Sequence, residues 1–292
     1  MAVSSYITSL KNHLTTLKVA AWLGWQIESN WTSPFLFALY AIIKPLAHTL
    51  ILVFIFVVAT GGQGERDMFD FMYIGNAFFM YVAQVLFGIS WIIHDEREHY
   101  ETLKYVYTAP ISFYMFLSGR AFAKFIFTTV AVIITMAFGI LVLGVNVNIS
   151  TINPLLFACS FFVGVLGIAS FGIVLGAISL ITARHGGTMN EVFSGIFYLL
   201  SGVMYPIGVL PLWTQSISRF LPVTYWLEAM RRSMLPALNL PLPTTLEMYS
   251  DWSLVAILFV STVLFFSIST LVFTAADRIA RRYGLIDMHT AY

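Results

Sequence analysis

The chain has 292 residues, of which 59% are hydrophobic and 10% charged, and its formal net charge is +1. A soluble domain usually carries about 25% charged residues; a chain this depleted would expose far too much apolar surface to water, so most of it must lie in lipid. The balanced charge gives no support for a nucleic-acid partner, and the one cysteine, Cys159, excludes an intrachain disulfide and reads as a small packing hydrophobe.

Near the N-terminus, Ile7, Leu10, Leu14, Leu17 and Ala21 recur at helical spacing, followed by Trp22, Trp25 and Trp31. The pattern predicts an amphipathic helix over residues 1–33, lying on the inner membrane face with its tryptophans at headgroup depth. A helix docked on a partner would show the same pattern. Lys18 breaks the best candidate for the apolar core of a signal peptide, so none is expected.

A spanning helix takes about 20 mostly apolar residues. Six segments meet or approach that, near Phe35–Ala59, Phe71–Ile93, Phe116–Leu143, Pro154–Ile181, Val192–Tyr205 and Trp252–Ala276. The expected fold is an all-α integral membrane protein with six transmembrane helices over residues 34–292. In the first span Lys44, Pro45 and His48 stand out, because ionisable groups within a membrane are functional by default. Lys44 can also snorkel to the interface, and His48 can face a pathway or bond a neighbouring helix. Asn76 and Gln84 in the second span read as interhelical glue, and Ser160, Gly164, Gly172 and Gly176 in the fourth as a close-packing stripe.

The second span runs into DEREHYETLKYVYTAP, Asp95 to Pro110, which packs six charges into ten positions. Tyr100, Thr102, Leu103, Val106 and Tyr107 give a mixed apolar face, and Glu98, Glu101 and Lys104 a polar one. Pro110 ends the helix. A short helix over about residues 95–112, charged at its start and held between two spans, would serve as a lever between a soluble partner and the membrane part. The same stretch permits another reading: His94 with Glu98, and Asp95 with His99, are spaced as metal ligands on one helix turn. A membrane-embedded metalloenzyme using His94, Asp95, Glu98 and His99 is therefore the alternative. It lacks a second ligand cluster, and no H-E-x-x-H motif occurs. A passive channel or receptor would leave the lever without a purpose.

The fifth span ends in MYPIGVLPLW, and the chain from there to Tyr249 keeps its prolines and aromatics, as in RFLPVTYWLEAM. That composition predicts a broken or re-entrant segment over about residues 205–249, its freed backbone groups facing protein or a water-filled cavity. With the N-terminus inside, ten cations (Lys11, Lys18, Arg97, Lys104, Arg120, Lys124, Arg184, Arg278, Arg281 and Arg282) fall on the inner side, against Arg66, Arg219, Arg231 and Arg232 outside. Both termini are therefore expected on the cytoplasmic side of the cytoplasmic membrane.

Two stretches resemble the permeases of ABC-2 type transporters. One is EREHYETLKYVYTAPIS followed by SGRAFAKF, with Glu96-Arg97-Glu98, Thr102-Leu103 and Pro110 at the family's spacing; the other is YPIGVLP…RFLPVTYWLEAMRRSML, closing on Glu228 and Arg231. The chain departs from the pattern at Glu101, where many members have glycine. The resemblance implies half of an exporter, paired with a second permease (a copy or a related chain) and bound to a cytoplasmic ABC ATPase subunit. No G-x-x-x-x-G-K-[ST] phosphate cradle occurs here, so this chain is expected to be no enzyme and to hold no cofactor, with ATP and Mg on a separate ATPase. It further implies that Glu96, Arg97, Glu98, Glu101, Thr102, Leu103 and Pro110 couple the permease to the ATPase, with Tyr105 and Tyr107 as packing anchors. The loop ARHGGTMNE, with Arg184 and His185, is a second candidate contact, and His48, Asn76, Tyr205, Pro206 and Pro211 are candidates for the pathway or gate. Family members move drugs, lipids or glycans; the few sugar-type hydrogen-bonding side chains in the broken segment favour a hydrophobic or amphipathic cargo.

Overall fold

In a computed structural model of the chain, residues 2–147, 152–182, 186–235 and 246–286 are described, with side chains for 11–147, 152–182, 190–235 and 246–286. Ten α-helices, besides a 3-10 turn at Ile207–Val209, follow in order among the described residues: α1 (Ala2–Ser29), α2 (Pro34–Thr60), α3 (Arg66–His99), α4 (Leu103–Thr108), α5 (Phe113–Leu141), α6 (Pro154–Ile181), α7 (Gly186–Leu200), α8 (Leu212–Phe220), α9 (Pro222–Met234) and α10 (Asp251–Arg282). Five of them (α2, α3, α5, α6 and α10) are long and apolar enough to cross a membrane. The fifth expected span is shorter than that. α7 has 15 residues, about 22 Å at 1.5 Å per residue, against a hydrocarbon core of about 30 Å.

Local sequence fixes where several spans begin. α2 and α6 each start with proline at the first helical position, where its missing N–H costs nothing. The preceding side chain caps them: Ser33 Oγ accepts from Leu36 N at 3.4 Å, and Asn153 Oδ1 from Leu156 N at 3.1 Å. Ser250 caps α10 in the same way, through Ser253 N at 3.3 Å.

α3 is the central, most buried span, whereas α2 and α10 present largely apolar outer surfaces. Its 34 residues run well past the length of a bilayer core, with π-helical turns at Val82–Leu86 and Asp95–His99. The glycine stripe of α6 lets neighbours approach closely. A β-carbon at Gly172 would meet the Leu86 backbone of α3, one at Gly167 the Thr262 side chain of α10, and one at Gly164 the Trp226 indole of α9. Trp226 thereby reaches an aromatic core, edge-on to Phe78 (6.1 Å) and Tyr81 (6.0 Å).

α1 packs lengthwise on the first half of α5. Its seam runs along Leu17, Ala20, Ala21 and Gly24, with Ala20 and Gly24 buried, while Leu14 is exposed. The side chains of Ile7 and Leu10 lie outside the described ones. Gly119 of α5 lies against Leu17, Ala20 and Ala21, Gly24 of α1 lies against Ala123, and Trp25 stacks on Phe127 at 4.6 Å. Lys124 Nζ bonds Glu28 Oε1 at 2.6 Å. Trp22, Trp25 and Trp31 stay exposed, as interfacial anchors do.

The broken segment satisfies its own backbone. Gln215 Nε2 donates to the carbonyls of Gly208 (3.1 Å) and Leu210 (2.7 Å), and Thr224 Oγ1 donates to Ser218 O at 2.9 Å. α8 consequently turns its polar side inward and exposes Leu212, Trp213, Ile217 and Phe220. Arg231 binds three carbonyls at once: Phe71 O (3.0 Å), Gly202 O (2.7 Å) and Val203 O (3.0 Å). Its guanidinium lies 3.7 Å from the Phe71 ring centroid and fills the space left by the missing side chain of Gly75. Arg232 ties the chain ahead of α10 through Leu246 O (2.8 Å), Tyr249 O (2.7 Å) and Asp251 (3.4 Å). Non-helical backbone in apolar surroundings needs such partners.

Candidate functional site

The charged connector between α3 and α5 is not one helix. Residues Asp95–His99 continue α3 as a π-helical turn, and only Leu103–Thr108 form the separate short helix α4. The break falls at Glu101, whose φ of 53° lies in the left-handed region. A glycine adopts that conformation freely, and an L side chain does so at a cost of roughly 1–2 kcal/mol. The departure noted at Glu101 thus sits at the one described non-glycine residue with a positive φ.

The acidic–basic start of the connector faces inward. Glu96 and Arg97 are buried, at 2% and 3% exposure, so neither is a surface for direct contact with a partner. Glu96 Oε1 pairs with Arg120 Nη2 of α5 at 3.3 Å, and Thr102 Oγ1 donates to Glu96 Oε2. Arg97 donates to the last carbonyls of α6, Ser179 O (3.3 Å) and Leu180 O (2.7 Å). There a cation both fills orphan acceptors and complements the helix dipole. One position apart, these two side chains tie the start of the connector to α5 and to α6.

The far side of α4 is tied to α10. Tyr107 packs on Phe113 at 4.6 Å, and Phe113 stacks on Phe273 at 5.8 Å. Arg281 lies over the Tyr107 ring at 4.7 Å and pairs with Asp277 at 3.1 Å. Burial, with the Asp277 carboxylate beside it, pushes the Tyr107 hydroxyl well above its ordinary range, so it stays protonated. Leu103, 1% exposed, seats α4 against the bundle.

Of the expected packing anchors, Tyr107 packs and Tyr105 does not. Tyr105 is 65% exposed, with Lys104 Nζ 5.4 Å from its ring. Glu101, Thr108, Pro110 and Ile111 are exposed with it, and Glu98 is half-buried. α4 thus has one anchored side and one open aromatic face.

Arg184 and His185 lie outside the described residues. Asn76 Oδ1 accepts from Tyr198 Oη of α7 at 3.2 Å, the interhelical bond that its position suggests. Gln84 is exposed instead. Tyr205 donates to Leu199 O at 3.1 Å, Pro206 is buried, and Pro211 is exposed at the start of α8. His48 is exposed on α2. The metal alternative finds no centre: among the described residues no three His, Cys, Asp or Glu side chains group to hold an ion. His94 instead stacks edge-on with Trp91 and His99 with Tyr100, and the π-helical turn displaces the i, i+4 alignment on which that reading depended.

The residues missed in the sequence are the partners: Arg120, Lys124, Asp277 and Arg281. The signal for the first two was present, since SGRAFAKF places two cations one turn apart at the start of an apolar span. Such charges need a counter-charge: Arg120 finds Glu96 of the connector, and Lys124 finds Glu28 of α1.

Fold and site together define a multi-pass helical membrane protein with a short helix rigidly slung between two spans. The family model described as ABC-2 type transporter matches residues 17–235. The chain therefore belongs to the ABC-2 type transporter family, whose members form the membrane component of ABC transporters. No curated protein matches the chain.

Proposed function

We propose that the chain is the permease subunit of an ABC exporter, which moves a hydrophobic or amphipathic substrate outward using ATP hydrolysed, with Mg, on a separate cytoplasmic ATPase. The observation that carries this reading is the asymmetry of α4. Glu96, Arg97, Thr102, Leu103 and Tyr107 bind it to α5, α6 and α10, while Tyr105 and its neighbours stay open. A push on the open face would move three spans together, because the links to α5 and α6 are buried and that to α10 runs through the half-buried Tyr107 ring. Two such permeases, with the pathway between them, complete the transporter in this reading.

The orientation with both termini in the cytoplasm puts α4 on the ATPase side. Three of the four cations counted against it, Arg66, Arg231 and Arg232, are engaged in contacts within the fold, which supports the assignment. The test is gentle detergent extraction of the tagged chain from its native membrane, with mass identification of what accompanies it. A stoichiometric ATPase carrying a phosphate-binding loop is expected, and it is expected to be lost from Tyr105→Ala. An intact, folded permease that brings no ATPase along would refute the reading.

A further inference from the structure

Lys44 and His48 lie one turn apart on α2, both exposed, and neither has a protein partner among the described residues. Several other ionisable groups in the spans are engaged: Asp70 with Arg66, Arg97 with α6, Arg120 with Glu96, Lys124 with Glu28. α2 runs from Pro34 to Thr60, about 40 Å, which matches a bilayer with its interfacial regions. His48 follows Pro34 by 14 residues and precedes Thr60 by 12, so it stands at mid-length.

At that depth acyl chains offer no hydrogen-bond acceptor. The long stem of Lys44 can carry its ammonium toward the headgroups, whereas the short His48 side chain cannot reach them. The acceptor has to come to His48. The surrounding surface says what kind of molecule brings it: Tyr40, Ile43, Ile51 and Ile55 of the same helix are exposed and suit an apolar tail. Tyr40 touches Trp31 (ring centroids 5.4 Å apart), which marks the interfacial end of the row.

We infer that Lys44 and His48 are successive stations for the acidic head of the cargo, an amphipath with an oxyanion group and an alkyl tail. The inference rests on the exporter reading and narrows its substrate class. Lysine supplies three donors and a charge, and a histidine ring donates from a nitrogen in either protonation state. An oxyanion has acceptors enough to be handed from one to the other.

The test uses the permease with its co-extracted partners in phosphatidylcholine nanodiscs, without ATP. Binding of dodecyl phosphate is measured against dodecyl phosphocholine, which has the same chain and a phosphate but no net charge. Saturable binding of dodecyl phosphate is expected, about tenfold weaker in Lys44→Gln and in His48→Gln, the scale of one lost charge-assisted hydrogen bond. Lys44→Arg is expected to retain it, and its thermal midpoint reports that the fold is intact. Unchanged binding in both Gln variants, equal binding of phosphocholine, or loss in a folded Lys44→Arg would each overturn the inference. So would Gln variants that dissociate a permease pair while binding as before, since the face would then be an interface between copies. A co-extracted ATPase with no dodecyl phosphate binding sinks the cargo class alone. Binding without any ATPase sinks the exporter reading and makes the site one for a resident lipid.

Discussion

Glu96 on α3 and Arg120 on α5 form an ion pair 3.3 Å apart, with side chains 3% and 4% exposed. Both belong to elements that bracket α4, so the pair fixes the geometry of the connector from both ends. Thr102, the residue just ahead of α4, bonds the same carboxylate.

Breaking this pair on one side leaves an uncompensated buried charge, which costs about 3–5 kcal/mol. Arg120→Leu and Glu96→Leu are each expected to lower the unfolding midpoint of the detergent-solubilised protein sharply. The double variant is expected to recover most of the loss, because apolar replacement of a whole buried pair is often neutral. Thermal unfolding of the four species in one detergent gives the coupling energy directly, and additive single effects would contradict the pairing.

The left-handed backbone at Glu101 makes a second prediction. Glu101→Gly is expected to raise stability by up to about 1 kcal/mol, because strain relief exceeds the entropy glycine adds to the unfolded chain. Glu101→Val is expected to lower stability by more, since a branched side chain tolerates that region least. Paired thermal scans of the two variants check the sign of each effect.

Tyr105 and Tyr107, two positions apart, are expected to part company on substitution. Tyr107→Ala removes a half-buried ring lying between Phe113 and Arg281 and is expected to cost about 3 kcal/mol, as aromatic truncations do. Tyr105→Ala, on the open face, is expected to stay within about 0.5 kcal/mol of the wild type yet lose the co-extracted ATPase. Measuring thermal midpoint and co-purification on both variants separates packing from docking.

Arg231 holds three backbone carbonyls from two separate parts of the chain. Arg231→Met is expected to cost at least about 3 kcal/mol, since hydrogen bonds from a charged group contribute about 1.5–3 kcal/mol each, not fully additively, and their acceptors would be left buried. Arg231→Lys is expected to recover little, because an ammonium lacks the planar fork that reaches separate carbonyls. Gly75→Ala is expected to act like the arginine variants, as its methyl would occupy the guanidinium's place. Limited proteolysis across the chain between α7 and α8 would report the loosening in all three.

The sequence by itself determined the solvent, the helical class and the place of the connector. Those follow from composition, apolar run length and proline position, which are properties of the chain alone. It also located the odd residue, Glu101, without showing why the site favours glycine; that required a backbone angle. Only the tertiary structure decided that Glu96 and Arg97 point inward while Tyr105 points out. A dense charge run reads as a solvated face, because sequence carries no information about which charges meet a partner from another helix. Arg120 lies 24 positions from Glu96, and the Ser179 and Leu180 carbonyls lie more than 80 positions from Arg97. That the fifth segment falls short of a full span was legible in the sequence, which places it at Val192–Tyr205 and breaks it at Pro206; the structure ends the helix at Leu200. Gly202, at φ 71° just past its end, and Pro206 stop it locally, while Arg231, nearly thirty residues further on, binds the carbonyls freed there. Burial and long-range pairing are properties of the packed bundle, and they turn a run of charges into a rigid link.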